Sequence, residues 1–253
     1  MYFDTHAHYD NPRFDLDRRT LLERLPQHGI SLVLNPGCNM ATSRTAVGLA
    51  EDYPFLYASV GFHPHDAKTM REGDIDQLEA LARHPKVVAV GEIGLDYHYD
   101  HSPRDVQRRR FREQMDLAHS VGLPAIVHQR EAAADTLEIL RGYADVSGVV
   151  HCYSGSLELA KALLDMGWYI SFTGVITYKN ARKSHEILQY MPHDRLMLET
   201  DAPYMAPEPH RGKRCSSLDL PYIAEAVAAL WGTTIEEVAA ITTENGKRCF
   251  GIR

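Results

Sequence analysis

Short apolar runs alternate with stretches in which apolar residues recur every three or four positions, almost from one end of the 253 residues to the other. Eight of the runs read as strands: YFDTH near the start, SLVLN from Ser31, LYASVGF from Leu56, VVAVGEIG from Val87, PAIVHQ from Pro124, GVVHCYS from Gly148, YISFTGV from Tyr169 and LMLETD from Leu196. Their near-continuous apolar character suits strands buried on both faces, as in a parallel sheet. The segments between them read as helices. Ser102-Pro103 has the form of an N-cap followed by proline at the first helical position, with Asp105 in the first turn. Beyond it, Phe111, Met115 and Ala118 fall at i, i+4 and i+7, one face of a helix. Gly29, Gly122 and Gly167 each precede a strand, where a helix is closed by a left-handed residue. Two more helical stretches fill Leu218 to Arg253, joined near Gly232.

Eight strands alternating with helices over about 250 residues is the pattern of a (β/α)8 barrel, expected to form one domain over residues 1–253. An open doubly wound sheet is the alternative. A GxGxxG after the first strand would favour it, but that place holds DTHAH. No apolar run nears the roughly 20 residues of a membrane helix. The opening residues include Asp4, His6, His8 and Asp10 and show no signal-peptide pattern, so a cytoplasmic protein without membrane attachment is expected. The four cysteines form no CxxC and read as reduced thiols. A net charge of -7 argues against broad, non-specific nucleic-acid binding, which runs on clustered Lys and Arg. It leaves room for an enzyme that binds phosphate locally through metal ions. No obligate protein partner is inferred.

Fourteen histidines are the unusual number, and several recur at one structural position. His6 and His8 are two residues apart and share one face of an extended strand. In a barrel, catalytic groups gather at the C-terminal strand ends. The first strand ends in His6 and His8, and the third leads into Gly61-Phe62-His63-Pro64-His65. The fourth ends in Glu92, the fifth in His128, the sixth in His151 and the eighth in Asp201. Each residue alone has an ordinary explanation: a lone histidine is more often structural, and Asp201 before Ala202-Pro203 could cap a helix. Four imidazoles and two carboxylates at the same end of one barrel are accounted for jointly by a metal site. Mixed nitrogen and oxygen ligation suits Zn²⁺, Mn²⁺ or another transition ion, whereas Mg²⁺ prefers oxygen. His28, His84, His119, His185 and His193 fall in helices or at helix ends and keep a structural or surface reading.

The motifs DTHAH, GFHPH, GEIGLDY, IVHQR, HCYSG, ISFTG and ETDAPYMAPEPHRGK, in this order over nearly the whole chain, resemble the TatD-related DNase family of metal-dependent hydrolases. The resemblance implies a (β/α)8 barrel holding two divalent cations and hydrolysing phosphodiesters, with DNA as the expected substrate, cut from a strand end in the 3′-to-5′ direction. It also implies ligand roles. His6, His8, Glu92 and Asp201 would hold one cation, and Glu92, His128 and His151 the second, with Glu92 bridging. It keeps Mg²⁺ open beside Zn²⁺ and Mn²⁺. Two departures stand out. Tyr153 replaces a common Phe, and Cys215-Ser216-Ser217 stands where relatives carry Asn, an acidic or amide residue, and Pro. The second bears on substrate preference.

A phosphodiester repels an anionic nucleophile, and two cations both acidify a water and neutralise the phosphoryl oxygens. Asp201 is the expected proton acceptor and Glu92 the bridging carboxylate. Expected substrate contacts are His63 and His65, Arg130 (two residues beyond His128 on the same face), and Arg211 and Lys213 in the basic run HRGKR. The competing readings are an amidohydrolase-type enzyme cutting an ester or amide, such as an aminoacyl ester, and a metal-storage or scaffold protein. The first often uses a carbamylated lysine on strand four, where this chain has Glu92. The second needs fewer polar groups than the strand ends supply.

Overall fold

In the computed structural model, which describes residues 1–253, all eight apolar runs become strands. They are β1 (Tyr2–Asp4), β2 (Ile30–Pro36), β3 (Leu56–Val60), β4 (Val87–Asp96), β5 (Ala125–Arg130), β6 (Gly148–Val150), β7 (Tyr169–Phe172) and β8 (Leu196–Leu198). They form one sheet in sequence order, and every neighbouring pair is parallel. The last strand returns to the first. Thr5 N donates to Leu198 O (3.2 Å), Asp201 N to His6 O (2.9 Å) and His8 N to Ala202 O (2.7 Å). The sheet therefore curls into a nearly closed (β/α)8 barrel.

One helix follows each of the first seven strands: α1 (Arg18–Arg24), α2 (Met40–Asp52), α3 (Asp74–Ala82), α4 (Arg104–Val121), α5 (Ala133–Arg141), α6 (Leu157–Asp165) and α7 (Arg182–Tyr190). Two more, α8 (Leu220–Trp231) and α9 (Ile235–Phe250), follow β8. No helix is long and apolar enough to cross a membrane. The glycine punctuation takes the left-handed form the sequence predicts: Gly122 (φ 68°) closes α4 and Gly232 (φ 68°) closes α8. One cap differs. Pro103, not Ser102, is the N-cap of α4. The Ser102 hydroxyl is committed elsewhere, accepting from Lys68 N (3.1 Å) and donating to His65 O (2.8 Å), so it ties two loops together instead.

Strands β1, β6 and β8 are shorter than the apolar pattern suggests. Each leaves the ladder just before its polar residues, so His6, His8, His151 and Asp201 stand immediately beyond a strand end. β4 runs further, through Glu92 to Asp96. No helix starts at Asp201; the next helical turn begins at Ser217, which removes the capping explanation for that aspartate.

A small apolar cluster joins every strand: Phe3, Leu34, Val88, Ile126, Val149, Tyr169 and Met197, with Tyr57 against it. Residues from all eight strands meet only inside the barrel. Cys249, Phe250 and Ile252 from the end of α9 join them, with Phe250 edge-on to Phe3 at 6.0 Å between ring centres. α9 thus plugs the base. Burying one such phenylalanine contributes roughly 1.5–3 kcal/mol. Two residues further along β5, β6, β7 and β8 the inward positions turn polar, and β4 makes the same change four residues on, from Val88 to Glu92. Ile126 is followed by His128 and Arg130, Val149 by His151, Tyr169 by Ser171, and Met197 by Glu199 and Asp201. An apolar floor therefore carries a polar storey.

Gly94 sits between Glu92 and Asp96 with φ of 131°, and a Cβ there would lie 2.1 Å from the carbonyl oxygen of His128. The absence of a side chain lets β4 approach β5 at the level of the polar groups. Gly94→Ala should therefore cost about 2–4 kcal/mol, combining an unfavourable φ with forced separation of the strands. The expected result is a lower urea midpoint at unchanged m-value. A midpoint equal to that of the parent chain would mean the two strands separate freely.

Candidate active site

A cavity of about 880 Å³ opens at the C-terminal ends of the strands. At its floor lies the carboxylate of Glu92, 3% exposed. Its Oε1 is 2.8 Å from His151 Nε2, 3.1 Å from His128 Nδ1 and 3.1 Å from His63 Nε2. Its Oε2 is 3.3 Å from His6 Nε2 and 3.7 Å from His8 Nε2. Asp201 Oδ1 closes the other side, 3.4 Å from His8 Nε2 and 3.9 Å from His6 Nε2. His6, His8, Glu92, His128, His151 and Asp201 are thus brought together from β1, β4, β5, β6 and β8. His63 stands in the same inner ring, closer to Glu92 than its sequence reading as a phosphate contact suggests.

Three carboxylates and a thiol that the sequence reading did not assign complete the surroundings. Asp96, fully buried, sits 3.0 Å from His128 Nε2 and 3.0 Å from His65 Nε2, holding both rings. Glu199, also buried, accepts from Ser171 Oγ (2.7 Å) and from the backbone N–H of Cys152 (2.6 Å), and lies 3.4 Å from His151 Nδ1. Asp4 accepts from Thr200 N (2.9 Å), Thr200 Oγ1 (2.6 Å) and Ser217 Oγ (2.6 Å), fixing the β8 end against β1. Cys38 Sγ lies 3.8 Å from Glu92 Oε2 and 3.9 Å from His8 Nδ1. For Asp96 a signal exists: Glu92, Gly94 and Asp96 step by two along a strand, so both acids face the same way. Glu199 and Asp201 repeat that spacing in LETD. Cys38 follows β2 in a loop and has no periodic signal.

The expected substrate contacts divide. His63, His65 and Arg130 line the cavity, with the Arg130 guanidinium 4.8 Å above the Tyr99 ring. Arg211 and Lys213 are exposed and do not line it. Arg211 stacks on Tyr178 at 4.2 Å and lies 3.8 Å from Glu208. Tyr153 lines the cavity and donates to Ser156 O (2.6 Å). In the divergent stretch, Cys215 is buried and Ser217 points inward to Asp4 and Tyr9, beneath the cavity. The histidines given structural readings keep them: His28 meets Arg24 O, His185 meets Ile176 O, His84 meets Glu51, His119 meets Asp145, and His193 stacks on Trp231.

The electrostatics follow from crowding. Burial would raise the Glu92 carboxyl, but His151, His63 and His6 around it, with the hydrogen bond from His128, outweigh burial and hold it well below the usual range. Burial likewise opposes ionisation of Asp201, and contact with His8 and His6 prevails, lowering it. Burial, with the neighbouring His128 and His65, carries His63 down to about 4 against the pull of Glu92. His8 and His151 go the other way. Burial disfavours their charged forms, but the carboxylates of Asp201 and Glu92 around His8, and of Glu92 and Glu199 around His151, push both well above the usual imidazole range. Burial raises the Cys38 thiol to about 12.

The donor set fits divalent cations. His6 and His8 point their Nε2 atoms at each other across 3.2 Å, and His6 Nδ1 is buried without a hydrogen-bond partner. Ligand atoms of His6, His8 and Glu92, and of His63, Glu92 and His128, lie within 4.8 Å of one another. Imidazole nitrogens and carboxylate oxygens gathered this closely are the donor set a divalent transition cation takes.

The model of the family described as TatD related DNase matches residues 3–251. The chain belongs to the TatD-related DNase family. As a member it is a metal-dependent hydrolase. It is 44% identical over 254 residues to the "Uncharacterized metal-dependent hydrolase YabD" of Bacillus subtilis, covering 100% of both chains. It is 32% identical to the "3'-5' ssDNA/RNA exonuclease TatD" of Salmonella typhimurium, covering 99% of each. Among solved structures, the TatD homologue YJJV from Escherichia coli superposes with a TM-score of 0.93 at 31% identity, covering 100% of this chain and 98% of that one. A Saccharomyces cerevisiae protein described as an uncharacterized amidohydrolase superposes with a TM-score of 0.87 at 19% identity, a likeness of fold alone.

Protons and cations compete for the same nitrogens of this TatD-family site. Because His8 and His151 hold their protons above the usual imidazole range, a cation entering at neutral pH must displace them. Affinity should therefore fall as pH drops and rise as pH climbs through the raised values. Calorimetric titration with Zn²⁺ or Mn²⁺ in buffers of different ionisation enthalpy should show net proton release, with affinity increasing from about pH 6 to about pH 8. Binding without proton release would exclude these two imidazoles as ligands.

Proposed function

We propose that this chain is a two-metal phosphodiesterase that shortens single-stranded nucleic acid, DNA above all, from its 3′ end. The observation that carries this reading is the Glu92 carboxylate, shared between two groups of imidazoles at the floor of an open cavity, so that each of its oxygens serves a different group. Relatives named 3′-5′ ssDNA/RNA exonuclease, aligned along nearly the whole length, support the substrate and the direction.

His6, His8, Glu92 and Asp201 would hold one cation, and Glu92, His128 and His151 the other, with His63 beside the second. Divalent cations bound there would acidify a water and neutralise charge on the phosphoryl oxygens. The chain's own groups do the rest. Asp201, kept ionised by its imidazole neighbours and open to the cavity, accepts the proton of the attacking water. Arg130 meets a non-bridging phosphate oxygen from the rim with a planar, always charged fork. Asp96 is a positioning residue: it fixes His128 and His65 by the nitrogens turned away from Glu92 or toward the rim. His65 holds its loop against that same carboxylate. Arg211 and Lys213, outside the cavity, would meet only more distant parts of a strand.

The purified, metal-assayed protein should convert a 5′-labelled single-stranded oligonucleotide into a ladder of progressively shorter labelled products, and release the terminal nucleotide first from a 3′-labelled one. Asp201→Asn should slow this by about 10²–10⁴-fold, and His128→Ala should lose both metal and activity. Intact DNA and RNA from a metal-loaded protein that turns over an aminoacyl ester or a cyclic amide would overturn the phosphodiester assignment.

A further inference from the structure

The cavity offers a polyanion little positive charge. Arg130 is the one lysine or arginine lining it, against the five carboxylates of Asp10, Asp66, Glu92, Asp96 and Asp201. Tracking of successive phosphates, the usual source of affinity for a strand, is therefore nearly missing. The mouth presents aromatic surface in its place. Of the seven large apolar side chains that the chain leaves exposed, three line this one cavity: Tyr99, Tyr204 and Met205. Tyr99 lies just beyond β4, and Tyr204 and Met205 just beyond β8. In an eight-stranded barrel wound in sequence order, β4 and β8 are half a turn apart, so the two tyrosines face each other across the mouth.

Each ring is held by its neighbours and stays about half exposed. Tyr99 lies nearly parallel to His101 (16°, centres 5.5 Å apart), takes the Arg130 guanidinium at 4.8 Å, and meets His65 edge-on at 5.5 Å. Tyr204 accepts a hydrogen bond from Asn11 Nδ2 (3.1 Å), has the Arg13 guanidinium 5.9 Å from its ring centre, and meets His8 edge-on at 6.5 Å. Each tyrosine therefore stands next to a histidine of the site, and the Glu92 cluster lies between them. They remain 51% and 45% exposed. A fixed, half-exposed aromatic ring beside a site for phosphate, alone at Tyr204 and layered with the Arg130 guanidinium at Tyr99, has the form of a stacking surface for a nucleobase.

We propose that Tyr204 with Met205, and Tyr99 with Arg130, are two base-stacking platforms flanking the scissile phosphodiester. The terminal base lies on one and its neighbour on the other. The proposal rests on the phosphodiesterase reading above and specifies its substrate as an unpaired strand end. A paired base has both faces covered by its neighbours and cannot use either platform. Stacking is indifferent to base identity, so the grip is sequence-tolerant. With a single guanidinium meeting phosphate inside the cavity, binding of a short strand end is also weakly salt-dependent, with a log–log slope of about −0.7.

The test uses the metal-loaded protein and single-stranded oligonucleotides. Tyr99→Ala and Tyr204→Ala should each raise KM about tenfold, whereas Tyr99→Phe and Tyr204→Phe should keep the parent KM, because the ring and not the hydroxyl carries the contact. A hydrolysis-resistant phosphorothioate oligonucleotide with 2-aminopurine at the last or the penultimate position should lose fluorescence on binding the parent protein. Each Ala variant should restore the signal at one of the two positions. Cleavage with unchanged KM in both Ala variants, or no quenching by the parent protein, overturns the stacking proposal and leaves the phosphodiesterase standing. A metal-loaded parent protein that neither binds nor cuts any oligonucleotide overturns both.

Discussion

The Glu92 carboxylate is shared among five imidazoles, and the upper half of the barrel is arranged to keep it in that position. A buried anion of this kind is tolerable only where opposite partial charges and hydrogen bonds surround it. His6 and His8 reach it from one side, His63 and His128 from another, and His151 from above the apolar floor. Asp96 and Glu199 stand behind His128 and His151, so the imidazoles are held from both ends of their rings. The closeness of β4 to β5 at Gly94 serves the same geometry, since it lets the His128 ring meet Glu92 on one side and Asp96 on the other.

Below this polar storey the barrel is ordinary. The apolar floor, one or two residues from each strand, the plug from α9 and the larger core of 55 buried residues shared by strands and helices supply the burial that offsets the cost of the crowded polar groups. The change from apolar to polar takes place within a single strand, over a step of two residues on β5 to β8 and of four on β4. Stability and chemistry are thereby separated along the barrel axis and not among different elements. A substitution at Met197 or Ile126 would act on folding, and one two residues further along would act on the site.

Much of this is legible in the sequence. The strands can be read because each is an apolar run between glycine-closed helices, and His6, His8, Glu92, His128, His151 and Asp201 can be read because each ends such a run. The spacing of two also contains Asp96 and Glu199, though a buried acid that binds a histidine looks, in one dimension, like any strand-end acid. Cys38, Tyr99 and Tyr204 lie in loops whose paths depend on packing, and no periodicity reports where a loop side chain comes to rest. Arg211 shows the same limit from the other direction. A basic run after β8 reads as a phosphate contact, but the loop turns Arg211 onto Tyr178, outside the cavity. The end of β1 illustrates a third case. YFDTH reads as one strand, but the ladder stops at Asp4, and the following residues divide their bonds, Thr5 and His8 donating to Leu198 and Ala202 and Ala7 to Leu34 of β2.

That closure, residues 5–8 against residues 198–202, sets an order in time. The contact spans nearly the whole chain, and such distant pairings form late because the intervening chain must already be ordered. While the chain is being made, His6 and His8 emerge first, on a strand with no partner on its open side. Asp201, which faces them, is made only after every other strand exists. The candidate site is therefore completed only once β8 exists and has closed on β1, and a chain stopped short of β8 has neither Asp201 nor that contact.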